Sequence, residues 1–199
     1  MATAPATPMM EQYNAVKNLH PDKILFFRLG DFYEMFHDDA VEASQLLGLT
    51  LTSRSKGDAA VPMAGVPFHA AERYIEQLLA AGKRVVICDQ VEDPALAKGL
   101  VKRDITRVVT PGTVVVDAFL DARTNNFIAA CAIDGENAGL AWADLSTGEF
   151  LLEEMPALAL PDAAERISPA EILIAEGKDG DGLASLLKGR FVGLRSARP

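Results

Sequence analysis

The run LFFRLGDFYEMF, from Leu25 to Phe36, constrains this chain more than any other stretch, because it sets five aromatic residues around a single Gly-Asp pair. Lys23 to Leu29 reads as a buried strand, Gly30-Asp31 as a tight turn and Phe32 to Phe36 as a returning strand. The period-two rule then sends Phe32, Glu34 and Phe36 to one face of the hairpin, and Tyr33 and Met35 to the other. A ring and a carboxylate so placed stand roughly 7 Å apart along the strand. On a helix the same two side chains would diverge by about 200° and could share no target. Two readings are open. Aromatic pairs in hairpins ordinarily pack a core, and a strand carboxylate ordinarily faces water. Alternatively, the ring wedges between bases while the acid meets a base edge.

The flanking sequence supplies alternating helices and strands. Thr7-Pro8 reads as an N-cap with proline at the first helical position, and Met10, Tyr13 and Val16 recur at helical spacing up to His20-Pro21. Asp38-Asp39 can cap a helix that runs through Leu47 and closes at Gly48. LTLTS (49–53) alternates as a strand, and RSKGDAA (54–60) is a polar loop. VPMAGVPFH (61–69) is expected to be an irregular loop with Met63 protruding, because two prolines and a glycine interrupt it. A helix over His69 to Ala81, a strand in RVVICDQV (84–91), a loop in EDPALAKG and a strand in DITRVVTPG complete an α/β pattern over residues 1–112.

After a connection over 113–124 come three strand-like runs, NNFIAACAID, GLAWADLS and GEFLLEE, joined by glycine-containing turns. A helix over Ala157 to Ile167, the strand EILIAE and a helix near Leu183 to Leu187 follow. Three antiparallel strands, then helix, strand and helix, match the opening of a ribonuclease-H-like sheet. The chain is expected to stop before such a sheet is complete, as part of a longer protein. The expected fold class is therefore α/β: a mixed-sheet domain over 1–112, a linker over 113–124 and a truncated ribonuclease-H-like domain over 125–199.

Composition narrows the function. The chain has 199 residues, 49% hydrophobic and 24% charged, with a net charge of −9. Twelve Lys and Arg meet fourteen Asp and Glu in residues 1–110, a net −2, whereas seven meet fourteen in 111–199, a net −7. The first half can still turn a basic edge to a polyanion; the second cannot hold one by general electrostatics. Cys88 and Cys131 are lone cysteines without metal spacing, and the start MATAPATPMM has no basic n-region or apolar h-region. A cytoplasmic location is expected. His20, His37 and His69 are scattered, so neither a metal site nor a catalytic site is expected.

Six motifs, TPMMEQY, FFRLGDFYEMF, DDAVEASQLLGLTLTSR, PMAGVPFHA, VVICDQVEDP and RVVTPGT, resemble in order and spacing the N-terminal part of the MutS family of mismatch-sensing DNA repair proteins. The resemblance runs from about Thr7 to Pro199, across a mismatch-recognition domain and the first part of a connector domain. It implies that Phe32 stacks on a mispaired or unpaired base from the minor groove, that Glu34 hydrogen-bonds the same base, and that Tyr33 supports the fold from behind. It implies backbone or minor-groove contacts for Arg54, Met63 and Gly65, with Arg103 and Arg107 as further candidates beside the basic stretch from Lys98. The implied partners are double-stranded DNA carrying mismatches or small loops, MutL, and a second copy of the longer protein. ATP and magnesium are implied only for an ATPase domain outside this chain, which contains no G-x-x-x-x-G-K-[S/T] phosphate loop.

The physical basis of such recognition is deformability. A mispair stacks poorly and bends easily, so a wedged ring costs less there than at a Watson–Crick pair. Glu34 fits beside phosphates and base acceptors if burial raises its pKa and it binds as the neutral acid. Two rival functions remain. Asp134 and Asp144 on the first two strands of the second domain could hold metal ions for a nuclease. The acidic second half could instead make the chain a protein-interaction module without DNA binding.

Overall fold

A computed structural model of the chain describes residues 7–54, 60–93, 96–97, 99–114, 125–175, 178–187 and 194–198. The connection expected beyond Thr113 lies outside the described residues from 115 to 124, as does Lys98. The chain divides into two compact units, Met1–Val109 and Thr110–Pro199.

In the first unit, α1 (Pro8–Leu19) starts where the Thr7 hydroxyl accepts from the Met10 amide, with Pro8 in the first turn. The strands β1 (Ile24–Leu29) and β2 (Phe32–Phe36) form the expected hairpin, closed by Leu29 opposite Phe32. Gly30 takes φ +56°, a left-handed conformation that a two-residue hairpin turn requires and that glycine adopts without steric cost. With β3 (Thr52–Ser53), β4 (Pro62–Pro67), β5 (Val85–Gln90) and β6 (Arg103–Val109) they make a six-stranded sheet in the order β3-β4-β2-β1-β5-β6. The β1–β5 pairing is parallel and the others are antiparallel, so the sheet is mixed.

Helix α1 covers one face, where Met9, Met10 and Tyr13 pack with Leu25, Phe27 and Phe36. The Tyr13 ring meets Phe27 and Phe36 edge-on, at centroid distances of 5.5 and 5.0 Å. On the other face, Phe26, Met35, Ala64 and Val66 are sealed, where α2 (His37–Leu47) and α3 (Ala71–Ala80) pack. The buried Asp39 is not a cap. It lies in the first turn of α2, pairs with Lys17 Nζ at 2.7 Å and accepts from the Leu25 amide, tying both helices to β1.

The expected irregular loop over VPMAGVPFH is a strand. Pro62 and Pro67 occupy the two ends of β4, where a missing N–H does least harm, and β3 pairs only with Met63 and Pro62. Met63 consequently does not protrude from a loop; it sits opposite Phe36, half-buried against the α1 core. The helix expected from His69 begins as a single 3-10 turn, Phe68–Ala70, and becomes α-helical at Ala71.

The second unit is a five-stranded sheet. An antiparallel meander, β7 (Phe127–Asp134), β8 (Asn137–Asp144) and β9 (Glu149–Pro156), is extended by the parallel strands β10 (Glu171–Ala175) and β11 (Leu194–Arg198). The order is β11-β10-β7-β8-β9. Helix α4 (Leu160–Ile167) lies between β9 and β10 in the chain and α5 (Lys178–Leu187) between β10 and β11, and they contribute Leu160, Ala164, Leu183 and Leu187 to a core with Leu140 and Ile172. The sheet has one strand more than the sequence pattern predicts: Leu194–Arg198 is polar, and as a sheet-edge strand it carries no apolar alternation. The last helix begins at Lys178, five residues before the expected Leu183, because Gly180 and Gly182 weaken the helical signal there.

Candidate nucleic-acid interface

The outer end of β2 differs from its inner end. Phe36 is sealed, but Phe32 is 46% exposed at the hairpin tip. Glu34 lies between them on the same face, its side chain 22% exposed. Across the ladder Glu34 faces Gly65 of β4, which leaves a notch. A Cβ at Gly65 would stand 3.6 Å from Glu34 Cγ and 3.8 Å from the Phe32 ring. The tip therefore presents a ring, a gap and a carboxyl group side by side.

Glu34 is incompletely satisfied. Its Oε2 is buried and accepts no hydrogen bond, and the nearest cation, Arg54 Nη1, lies 3.8 Å away, too far for one. Desolvation raises its pKa, and the charge of Arg54 opposes that rise without cancelling it. An acceptor held this way is poised either to take a proton or to meet a donor. Arg54 also lies 5.7 Å from the Phe36 ring, so its guanidinium sits beside the notch.

Tyr33 points to the opposite face. Its hydroxyl donates to Asp89 Oδ1 at 2.6 Å, while Thr106 donates to Asp89 Oδ2 at 2.6 Å. Burial, with the bond to Asp89, pushes the Tyr33 phenol up to about 12. The ring lies against Phe26.

Arg103 and Arg107 are not brought together with the notch. Both lie on β6, the far edge of the sheet from β3 and β4. A bulge between Ile87 and Cys88 in the β5–β6 ladder breaks the period-two rule, so that Arg107 is opposite Ile87 and Ile105 opposite Cys88. Arg103 therefore reaches over the α1 face, to Gln12 Oε1 and the Phe27 ring, while Arg107 pairs with Glu72 of α3 at 2.7 Å. Arg103 Nε donates to the Arg28 carbonyl at 2.7 Å and Nη1 to that of Val101 at 2.9 Å. Sequence spacing gave no signal of this division.

In the second unit, Asp144 accepts from the Ser146 hydroxyl and from the amides of Ser146, Thr147 and Asn126. The Ser146 bond, outweighing the opposing desolvation, holds its pKa below the usual carboxylate range. Asp144 thus closes the β8–β9 turn. Asp134 is exposed and pairs with Asn137 at the other end of the β7–β8 ladder, while Asp144 faces Phe127. Seven residues of strand, about 23 Å, separate the two carboxylates, whereas paired catalytic metals need ligands around ions about 4 Å apart. This pair cannot form the nuclease centre considered from sequence, and no group of His, Cys, Asp or Glu among the described residues could hold a metal ion. No helix among them is long and apolar enough to cross a membrane.

Comparison with known proteins identifies the family. Residues 7–118 match the family model MutS domain I, and residues 126–195 match MutS domain II. The chain is 51% identical over 186 residues to the DNA mismatch repair protein MutS of Myxococcus xanthus, covering 92% of this chain and 21% of that protein. It is 48% identical over 179 residues to the DNA mismatch repair protein MutS of Methanothrix thermoacetophila, covering 89% and 21%. It spans about a fifth of the length of the curated relatives it matches. On these matches, which cover both units, the chain belongs to the MutS family.

Proposed function

We propose that this chain recognises mispaired or unpaired bases in double-stranded DNA as part of mismatch repair. Phe32 wedges into the stack from the minor groove, and Glu34 hydrogen-bonds the displaced base. The observation that carries this reading is the half-exposed ring next to a carboxyl group with an unpartnered oxygen, on one strand face. A solvated hairpin has no use for that combination, whereas a base stacked on Phe32 would bring an edge to Glu34. Stacking contributes about 1–3 kcal/mol without demanding a base identity, and selectivity arises because a mispair yields more readily to the wedge. The raised pKa of Glu34 favours the neutral acid, which can donate to a base acceptor.

Arg54 and Gly65 complete the surface in this reading. Gly65 lets the nucleic acid approach the strand closely, and Arg54 exchanges its loose contact with Glu34 for a phosphate. Met63, Arg103 and Arg107 act indirectly, through the packing and hydrogen bonds that hold the sheet. In this reading the longer protein also forms a homodimer that encloses the duplex, carries an ATPase using ATP and magnesium, and docks MutL partly through the second unit.

Fluorescence anisotropy on matched and G·T duplexes tests the reading. The chain should bind both weakly, with affinity falling steeply as salt rises, and should prefer the mismatch. Phe32→Ala should remove that preference, a loss of about tenfold, with little change in matched-duplex binding. Equal preference in wild type and Phe32→Ala would reject the wedge.

A further inference from the structure

A wedge discriminates only if the duplex yields before the wedge does. The hairpin tip is poorly supported by its ladders: the parallel pairing of β1 with β5 ends at Phe27, leaving Arg28 and Leu29 beyond it. On the other side β2 meets Pro67, which has no N–H to give to Phe32. Three groups outside the ladders make up the deficit. Arg103 Nε donates to the Arg28 carbonyl, where a strand partner is missing. The Phe68 amide donates to the Asp31 carbonyl at 2.9 Å. The Arg28 guanidinium lies 3.6 Å over the Phe68 ring and 5.5 Å from that of Tyr33, while its Nε donates to the Gly30 carbonyl at 2.5 Å.

Arg28 and Tyr33 are cross-strand partners on the face opposite Phe32. The Arg28–Phe68 stack thus backs the hairpin from behind the ring that would be driven into DNA. Building on the wedge reading above, we propose that Arg28 and Phe68 are positioning residues that stiffen the tip, and that this stiffness sets the preference for mispaired over paired DNA. A softer tip would bend aside at matched and mismatched sites alike, so the two would be bound more equally. Phe68 is itself 42% exposed, which leaves its ring free to be changed without opening the core.

The experiment combines Phe68→Ala, Phe68→Tyr and Arg28→Met in the full chain with two readouts: the ratio of matched to G·T dissociation constants, and amide hydrogen exchange at positions 32 and 68. Phe68→Ala and Arg28→Met should each lower the ratio on the order of fivefold, the size expected for loss of one cation–π contact. Both should speed exchange at the tip, and their effects should not add. Phe68→Tyr, which keeps a ring face under the guanidinium, should restore both readouts. In a Phe32→Ala background, Phe68→Ala should have no further effect on the ratio. Unchanged tip exchange in the two disruptive variants would overturn the brace. Faster exchange with an unchanged ratio would overturn its role in discrimination. A parallel loss of matched and mismatched binding in Phe68→Ala alone would instead make Phe68 a direct DNA contact. Absence of any wild-type preference would sink the wedge itself, while the exchange data would still decide whether the brace exists.

Discussion

Glu34 in the first unit and Asp144 in the second are both carboxylates largely withdrawn from water, and they are held in opposite ways. Asp144 collects four hydrogen bonds from a turn that it organises, and its pKa is lowered. Glu34 has a buried oxygen with no donor and only a distant arginine, and its pKa is raised. The difference separates a carboxylate whose bonding is completed by the fold from one left for a ligand. Burial alone does not mark a site; burial with an unmet bond does.

The contrast can be broken most forcefully at Asp144. Asp144→Ala strands the amides of Asn126, Ser146 and Thr147, and should lower the melting temperature of the second unit by several degrees while leaving duplex binding unchanged. Thermal denaturation followed at Trp142, which packs against that unit's core, measures it. Glu34→Ala should weaken G·T binding about tenfold through loss of one hydrogen bond in a desolvated site, whereas Glu34→Gln, which keeps a neutral donor, should stay within about threefold of wild type. If Gln and Ala were equally damaging, the neutral-acid assignment would fall.

The pH dependence of stability should differ in sign between the two groups. The folded pKa of Glu34 lies above its unfolded value, so its contribution is full below the unfolded pKa and is lost as pH rises through the folded one. The folded pKa of Asp144 lies below its unfolded value, so its contribution is present above the unfolded pKa and is lost as pH falls through the folded one. Urea midpoints of wild type, Glu34→Gln and Asp144→Asn across the acid range should give difference curves of opposite slope; parallel curves would erase the distinction. The smallest effect belongs to Gly65→Ala. The added methyl meets only ordinary contacts, 3.5 Å at the nearest, so stability should move by no more than about 0.5 kcal/mol. Any larger change should appear in DNA binding, because the methyl fills the notch.

The hairpin was legible because two signals agreed: dense apolar and aromatic runs on either side and a Gly-Asp pair at the turn. That agreement also fixed the shared face of Phe32 and Glu34. The same proline and glycine rules misread β4, since residue types alone do not reveal that Pro62 and Pro67 sit at strand ends, with no pairing to β3 beyond Met63. The unmet bond on Glu34 could not be read at all, because it depends on where Arg54 ends up across the sheet. Nor could the roles of Arg28 and Phe68, forty residues apart, which only the meeting of β2 with β4 brings face to face.

The bulge beside Thr106 has a further consequence. Because Thr106 bulges out of the ladder and is not paired in it, Arg103 serves the α1 side and Arg107 the α3 side. Removing Thr106 would set Ile105 and Arg107 in sequence opposite Cys88 and Ile87, so the ladder would close up with both arginines on their present faces, and the hydroxyl bond to Asp89 would go with it. Pairing Thr106 into the ladder would instead put both arginines on one face, so the division of labour along this strand depends on one residue staying out of register.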